Sequence, residues 1–196
     1  DLERIEIFSL FLFYEVINMT RNELVKSLEA DLGKQLGSNY GYDWCAAYVS
    51  DKLLKPIGEK WFSSCTQMRD YFNQKGRVNH DYRTAEIGDI IEFDWDLSGD
   101  CDHVGIIVDV DYAKGVITTI EGNTNGDHWK LSKVAKHTYS MDYKYFANII
   151  DMSSVFMNEV QENKPAGGEQ TDTVLKAVKL IIDGEVVYDG YARIKK

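Results

Sequence analysis

Only two prolines and three cysteines occur in 196 residues, Lys and Arg are outnumbered by Asp and Glu, and no apolar run approaches the length of a bilayer. Each shortage excludes something. The cysteines, at 45, 65 and 101, are odd in number and lack C-x-x-C spacing, so neither a disulfide framework nor a four-cysteine zinc site is encoded. At least one thiol must be free. A net charge of −10 and a pI near 4.9 leave no basic patch for a nucleic acid or an anionic membrane, and neither is expected as a partner. The apolar stretch from Ile5 to Ile17 is too short to span a bilayer, and Asp1 and Glu3 ahead of it carry the wrong sign for a signal peptide. Residues 1–18 are therefore expected to be either translated upstream sequence ahead of a start at Met19, or an accessory strand or helix packed on the domain.

The length and the 44% hydrophobic content suit one buried core, with room for an appendage. Thr20-Arg21-Asn22-Glu23 has capping-box spacing, and Leu24, Leu28, Leu32 and Leu36 follow at helical intervals, with Gly33 and Gly37 as stops. A second helix is predicted from Cys45 to about Leu54, capped by Asp43 and ended by Pro56. A third starts at Ser64-Cys65-Thr66-Gln67, buries Cys65, Met68 and Phe72, and stops at Gly76.

After Gly88 the period changes to two. Ile91, Phe93 and Trp95 alternate with Glu92 and Asp94, and Val104, Ile106, Val108 and Val110 share one face of the next strand. Val116–Gly122 supplies a third strand, and Trp129–Tyr139 and Tyr143–Ile150 two more. Helices followed by an antiparallel meander make an α+β fold, with the catalytic-type unit expected over 19–152. The Pro165-Ala166-Gly167-Gly168 stretch marks residues 153–173 as a linker, and 174–196 read as a β-hairpin turning at Asp183-Gly184. A hairpin this small is expected to dock on the main unit, pair with another copy, or begin a wall-binding module.

Cys45 stands where a polar turn runs into a helix, and unpaired N–H groups and the helix dipole favour a thiolate there. Such a thiolate needs a base and an oxyanion site. His103 begins the second strand on its less apolar side. Glu121 and Asn123 share a face near the end of the third, and in an antiparallel hairpin the start of one strand lies beside the end of the other. Those neighbours are what a base and its orienting group require. Cys65 reads as a core hydrophobe and Cys101 as a partly exposed loop thiol; His80, His128 and His137 have no partner pattern. Trp44, Trp95 and Trp129 are candidates to line a substrate groove.

Four blocks, Tyr42-Asp43-Trp44-Cys45-Ala46-Ala47-Tyr48-Val49-Ser50, Ile87-Gly88-Asp89-Ile90-Ile91-Glu92-Phe93, Asp102-His103-Val104-Gly105-Ile106-Ile107 and Ile120-Glu121-Gly122-Asn123-Thr124, resemble in order and spacing those of CHAP domains, over roughly residues 22–150. These are papain-like cysteine amidohydrolases and peptidases that cut peptidoglycan. The resemblance implies Cys45 as nucleophile, His103 as general base and acid, Glu121 as its acidic partner and Asn123 as a further orienting group. It implies peptidoglycan as partner, in the manner of a phage endolysin made in the host cytoplasm and released to the wall, or of an extracellular enzyme. Some relatives bind calcium through an Asp-x-Asp loop before the cysteine and an acid two residues after it; here the approach is Gly37-Ser38-Asn39-Tyr40-Gly41-Tyr42-Asp43 and the later position Ala47, so no metal and no cofactor are expected. Two other readings remain, a non-catalytic wall-binding or assembly module and a papain-like protease acting on proteins.

Overall fold

The structure, a computed structural model, describes residues 19–156 and the backbone of 173–182 and 185–195. The expected leader, 1–18, and residues 157–172 of the expected linker lie outside the described residues. Helix α1 (Arg21–Glu29) begins with the predicted capping box: Thr20 Oγ1 accepts from the Glu23 N–H at 3.1 Å, and the Glu23 carboxylate accepts from the Thr20 N–H at 2.9 Å. Leu24 and Leu28 are buried, but the stripe does not continue to Leu32, which is 41% exposed. The helix ends early because Gly33, at φ 82°, turns its N–H onto the Val134 carbonyl and ties the chain to the sheet.

A short helix α2 (Gly37–Tyr40) leads into α3 (Cys45–Val49), which widens into a π-helical turn, Ser50–Leu54. At the widening Ser50 exchanges two hydrogen bonds with the Phe62 backbone. Trp44, rather than Asp43, occupies the cap position of α3, with no side-chain cap bond. Helix α4 (Cys65–Gln74) is capped by Ser64 and buries Cys65, Met68 and Phe72, as the spacing predicts.

Six strands follow: β1 (Val78–Asn79), β2 (Ile90–Phe93), β3 (His103–Asp111), β4 (Val116–Thr124), β5 (Lys133–Ser140) and β6 (Phe146–Ile150). Their order is β1-β6-β2-β3-β4-β5, every pairing antiparallel. The predicted meander holds for β2 to β5. The last strand instead returns to the free edge of β2, and the two-residue β1, unforeseen in the sequence, pairs outside it. The fold is α+β, a helical layer on an antiparallel sheet.

Both sheet faces are apolar. Ile90, Val104, Ile106 and Ile120 meet Leu24, Tyr48 and Phe72 of the helical layer, while Ile91, Phe93, Ile107, Ile117 and Ile149 build a second cluster with Phe146. The alternation of Glu92 and Asp94 therefore does not mark a wet face: β2 is buried throughout, and Glu92 is 0% exposed. A register shift between Ile107 and Asp109 moves Val110 from its predicted face to the second cluster.

The first compact unit runs to Phe156, past the expected boundary at 152, because Phe156 is buried against Gly88 with the Arg21 guanidinium 5.1 Å from its ring centroid. The second holds β7 (Thr173–Ile182) and β8 (Glu185–Lys195), an antiparallel pair where the hairpin was predicted. Among the described residues no helix is long and apolar enough to cross a membrane.

The helical layer sits directly on the backbone of β4. A Cβ at Gly122 would lie 2.7 Å from Trp44 Cζ3 and from Tyr48 Cβ and Cγ, which are fully buried rings with no space to retreat. Gly122→Ala is expected to cost about 1–3 kcal/mol by overpacking. Urea unfolding reads this, and unchanged stability would show that α3 stands farther from β4 than described.

Candidate active site

Antiparallel pairing of β3 with β4 puts His103 diagonally across from Glu121, and His103 Nε2 lies 2.9 Å from Glu121 Oε2. The contact is possible because β3 carries glycine between them: a Cβ at Gly105 would come within 2.6 Å of Glu121 Cγ. The other carboxylate oxygen, Oε1, accepts from Thr119 Oγ1 at 2.6 Å and from the Tyr139 hydroxyl at 3.0 Å. Burial raises the Glu121 pKa, but the bond to His103, its charge and the Thr119 hydroxyl outweigh that penalty and hold it below the usual carboxylate range. Both side chains are nearly inaccessible, so the imidazole is fixed by Nε2 and its Nδ1 is the nitrogen left for proton exchange. Phe93 lies against the ring at 5.6 Å between centroids, and Trp95 stacks on it at 5.1 Å and 18°.

Cys45 is the first residue of α3, and Cys65, predicted as core, is the first of α4. A hydrogen bond to Cys65 and burial push the Cys45 thiol well up, while the same bond, the His103 charge and the N–H groups of Thr66 and Cys65 bring Cys65 down to about 7.

Asn123 does not reach the imidazole. Its backbone is left-handed (φ 57°) beside a register shift between Glu121 and Thr124, which breaks the predicted shared face. Its Nδ2 donates instead to Asp43 Oδ1 at 3.2 Å, tying the end of β4 to the turn before Cys45. Among the described residues its Oδ1 has no partner.

The three tryptophans part company. Trp44 is 0% exposed, stacked on Tyr40, with its indole N–H donated to the Trp129 carbonyl at 3.0 Å, so it is core and offers nothing to a groove. Trp129 is half-buried beneath Lys130. Trp95, 46% exposed over His103, alone borders the site with an open face. Cys101 is likewise not the exposed thiol expected: it is buried, its S–H donated to Glu92 Oε2 at 3.2 Å and its carbonyl accepting from Cys65 Sγ at 2.8 Å.

Among the described residues one acidic group could approach a cation together, Asp94, Asp96 and Asp102, with ligand atoms within 4.8 Å of one another. Their oxygens already accept the N–H groups of Trp95, Ser98 and Gly99, which closes the 94–102 loop. Sequence reasoning missed Thr119, Tyr139 and the placement of Cys65. Thr119 lies two residues before Glu121 on the same face, which the strand period could have shown; Tyr139 needs the β4–β5 register, and the placing of Cys65 needs the packing of α3 on α4.

The family model for the CHAP domain matches residues 37–123, from α2 to the end of the His103–Glu121 hairpin. Two solved structures of Ly7917 are similar to the chain. One is 21% identical, covering 67% of this chain and 62% of that one, with a TM-score of 0.46; the other, Ly7917 with the hydrolyzing product of MDP, is 18% identical, covering 91% and 80%, at 0.44. The chain thus spans 62% of the length of the first. No curated protein matches.

Beneath the site lies a buried acid. Desolvation raises Glu92 from 4.5 to about 8, against the hydrogen bonds from Cys101 and Asn148, and its Oε1 has no partner among the described residues. A folded pKa above the unfolded one means stability that is full below about pH 4.5 and is lost as pH rises towards 8. Glu92→Gln removes that loss. Relative to the variant, the wild type should lose up to about 1.4 kcal/mol per pH unit across that window. Chemical unfolding at several pH values measures the difference, and a gap independent of pH would contradict the buried acid.

Proposed function

We propose that this chain is a peptidoglycan hydrolase that cuts an amide bond through a cysteine acyl-enzyme, as an N-acetylmuramoyl-L-alanine amidase or a stem or cross-bridge endopeptidase of the phage-endolysin type. The observation that carries this reading is the buried His103–Glu121 pair, with Cys45 at the start of a helix packed on the two strands that bear it, within the stretch the CHAP family model matches. In this mechanism the imidazole takes the thiol proton at Nδ1, and the Cys45 sulfur attacks the amide carbonyl. The Cys45 N–H steadies the oxyanion, and the imidazolium returns the proton to the departing amine. Water then cleaves the thioester with His103 as base. Glu121 supports each step by stabilising the imidazolium without itself becoming protonated. Trp95, exposed over the ring, is the proposed wall of the substrate groove. The proposed place of action is the bacterial cell wall, and the β7–β8 hairpin is the proposed element for wall attachment or self-association.

Digestion of purified wall, with mass spectrometry of the released fragments, tests the reading. Wild type should liberate a new amine that identifies the bond, and Cys45→Ala should lose at least about 10³-fold in rate, since removal of the nucleophile leaves only binding and the oxyanion site. Equal digestion by both would leave the chain a wall-binding module without turnover. Cleavage of a casein-like protein with no release from wall would make it a protease.

A further inference from the structure

An aromatic ring left nearly half exposed gains little from burial, so its placement needs another reason. Trp95 is 46% exposed, yet its indole lies almost parallel to the His103 imidazole, 5.1 Å between centroids at 18°, and 6.0 Å from the Phe93 ring. The backbone holds it there. In the β2–β3 connection the Asp94 N–H donates to the Tyr145 carbonyl at 2.9 Å and the Asp102 N–H to the Phe93 carbonyl at 2.8 Å. Between them the Trp95 N–H donates to Asp102 Oδ2 at 2.6 Å, so the residue that carries the indole is pinned to the residue before His103. Asp94 fastens the rest of the loop by accepting from the Ser98 and Gly99 N–H groups at 3.1 and 2.8 Å. A loop tied this way presents one face of the indole to the imidazole and leaves the other to solvent.

We propose that Trp95 is a positioning residue for His103, its inner face fixing the plane of the imidazole and keeping water from the His103–Glu121 bond. This role rests on His103 being the base of the proposed reaction, and it goes beyond bordering the groove. Three groups confine the ring: Glu121 Oε2 holds Nε2 at 2.9 Å, Phe93 lies against it at 43°, and Trp95 covers it. The side chain is consequently 3% exposed although it stands at the first residue of its strand. With water excluded, the bond to the carboxylate is electrostatically stronger than it would be in solvent. When the ring takes the thiol proton, the indole face stabilises the imidazolium by a cation–π contact. Both effects grow as the ring becomes charged, so they act on turnover more than on binding of the substrate.

Full-length wild type, Trp95→Ala and Trp95→Phe are compared by NMR of the His103 ring and by the kinetics of cleavage of soluble muropeptides. In the wild type the Nε2 proton should exchange with water slowly enough to be observed, and the ring protons should be shifted upfield by the overlying indole. Trp95→Ala should lose both signatures and about ten-fold in kcat. Trp95→Phe keeps a stacking ring, and should recover the slow exchange and come within about three-fold of the wild-type kcat. A rise in KM alone, with kcat and the His103 spectrum unchanged in Trp95→Ala, would make Trp95 a substrate wall only and overturn the proposal. A loss in kcat that Trp95→Phe does not recover would overturn it as well. If the wild type cleaves no muropeptide while the ring signatures respond to the substitutions as expected, it is the hydrolase reading that fails and the cover over His103 that stands.

Discussion

A carboxylate buried between two strands and held by an imidazole is the constraint around which this molecule is arranged. An unpaired ionised acid at that depth would be very costly, so Glu121 persists as an anion only because His103, Thr119 and Tyr139 all donate to it. Those donors come from β3, β4 and β5, and their meeting at one carboxylate requires the register of three strands. Gly105 provides the space in which the Glu121 side chain crosses β3. Phe93 and Trp95 close over the imidazole, and the second apolar cluster seals the same face from below.

The opposite side of the site is built by helices. Trp44 and Tyr48 press on Gly122, and the Asp43–Asn123 bond joins the turn before Cys45 to the end of β4, so the thiol is located relative to the same strand that carries Glu121. Helix α4 packs on α3, and each begins with a buried cysteine.

Much of this was legible in the residues. The capping box at Thr20, the Ser64 cap with its buried Cys65, Met68 and Phe72, and the pairing of His103 with Glu121 all depend on local spacing, which sequence carries. What was not legible depends on events at a distance. The return of β6 to β2 buries the strand that alternation had marked as half-polar, and with it Glu92. A bulge at the end of β4 sends Asn123 to Asp43 rather than to the imidazole. Cys101, polar in its loop setting, is drawn inward by Glu92, and Trp44, aromatic beside the nucleophile, is committed to the Trp129 carbonyl. Burial of polar groups is decided by which elements meet, and a one-dimensional pattern is silent on that.

The orientation of the His103 ring is the claim on which the rest turns, and ¹⁵N NMR of the imidazole, compared between wild type and Glu121→Gln, tests it most directly. In the neutral ring Nε2 should carry the proton, strongly deshielded by its bond to the carboxylate, with Nδ1 unprotonated, and that signature should vanish in the variant. A neutral ring protonated at Nδ1, with the same spectrum in both proteins, would contradict the account.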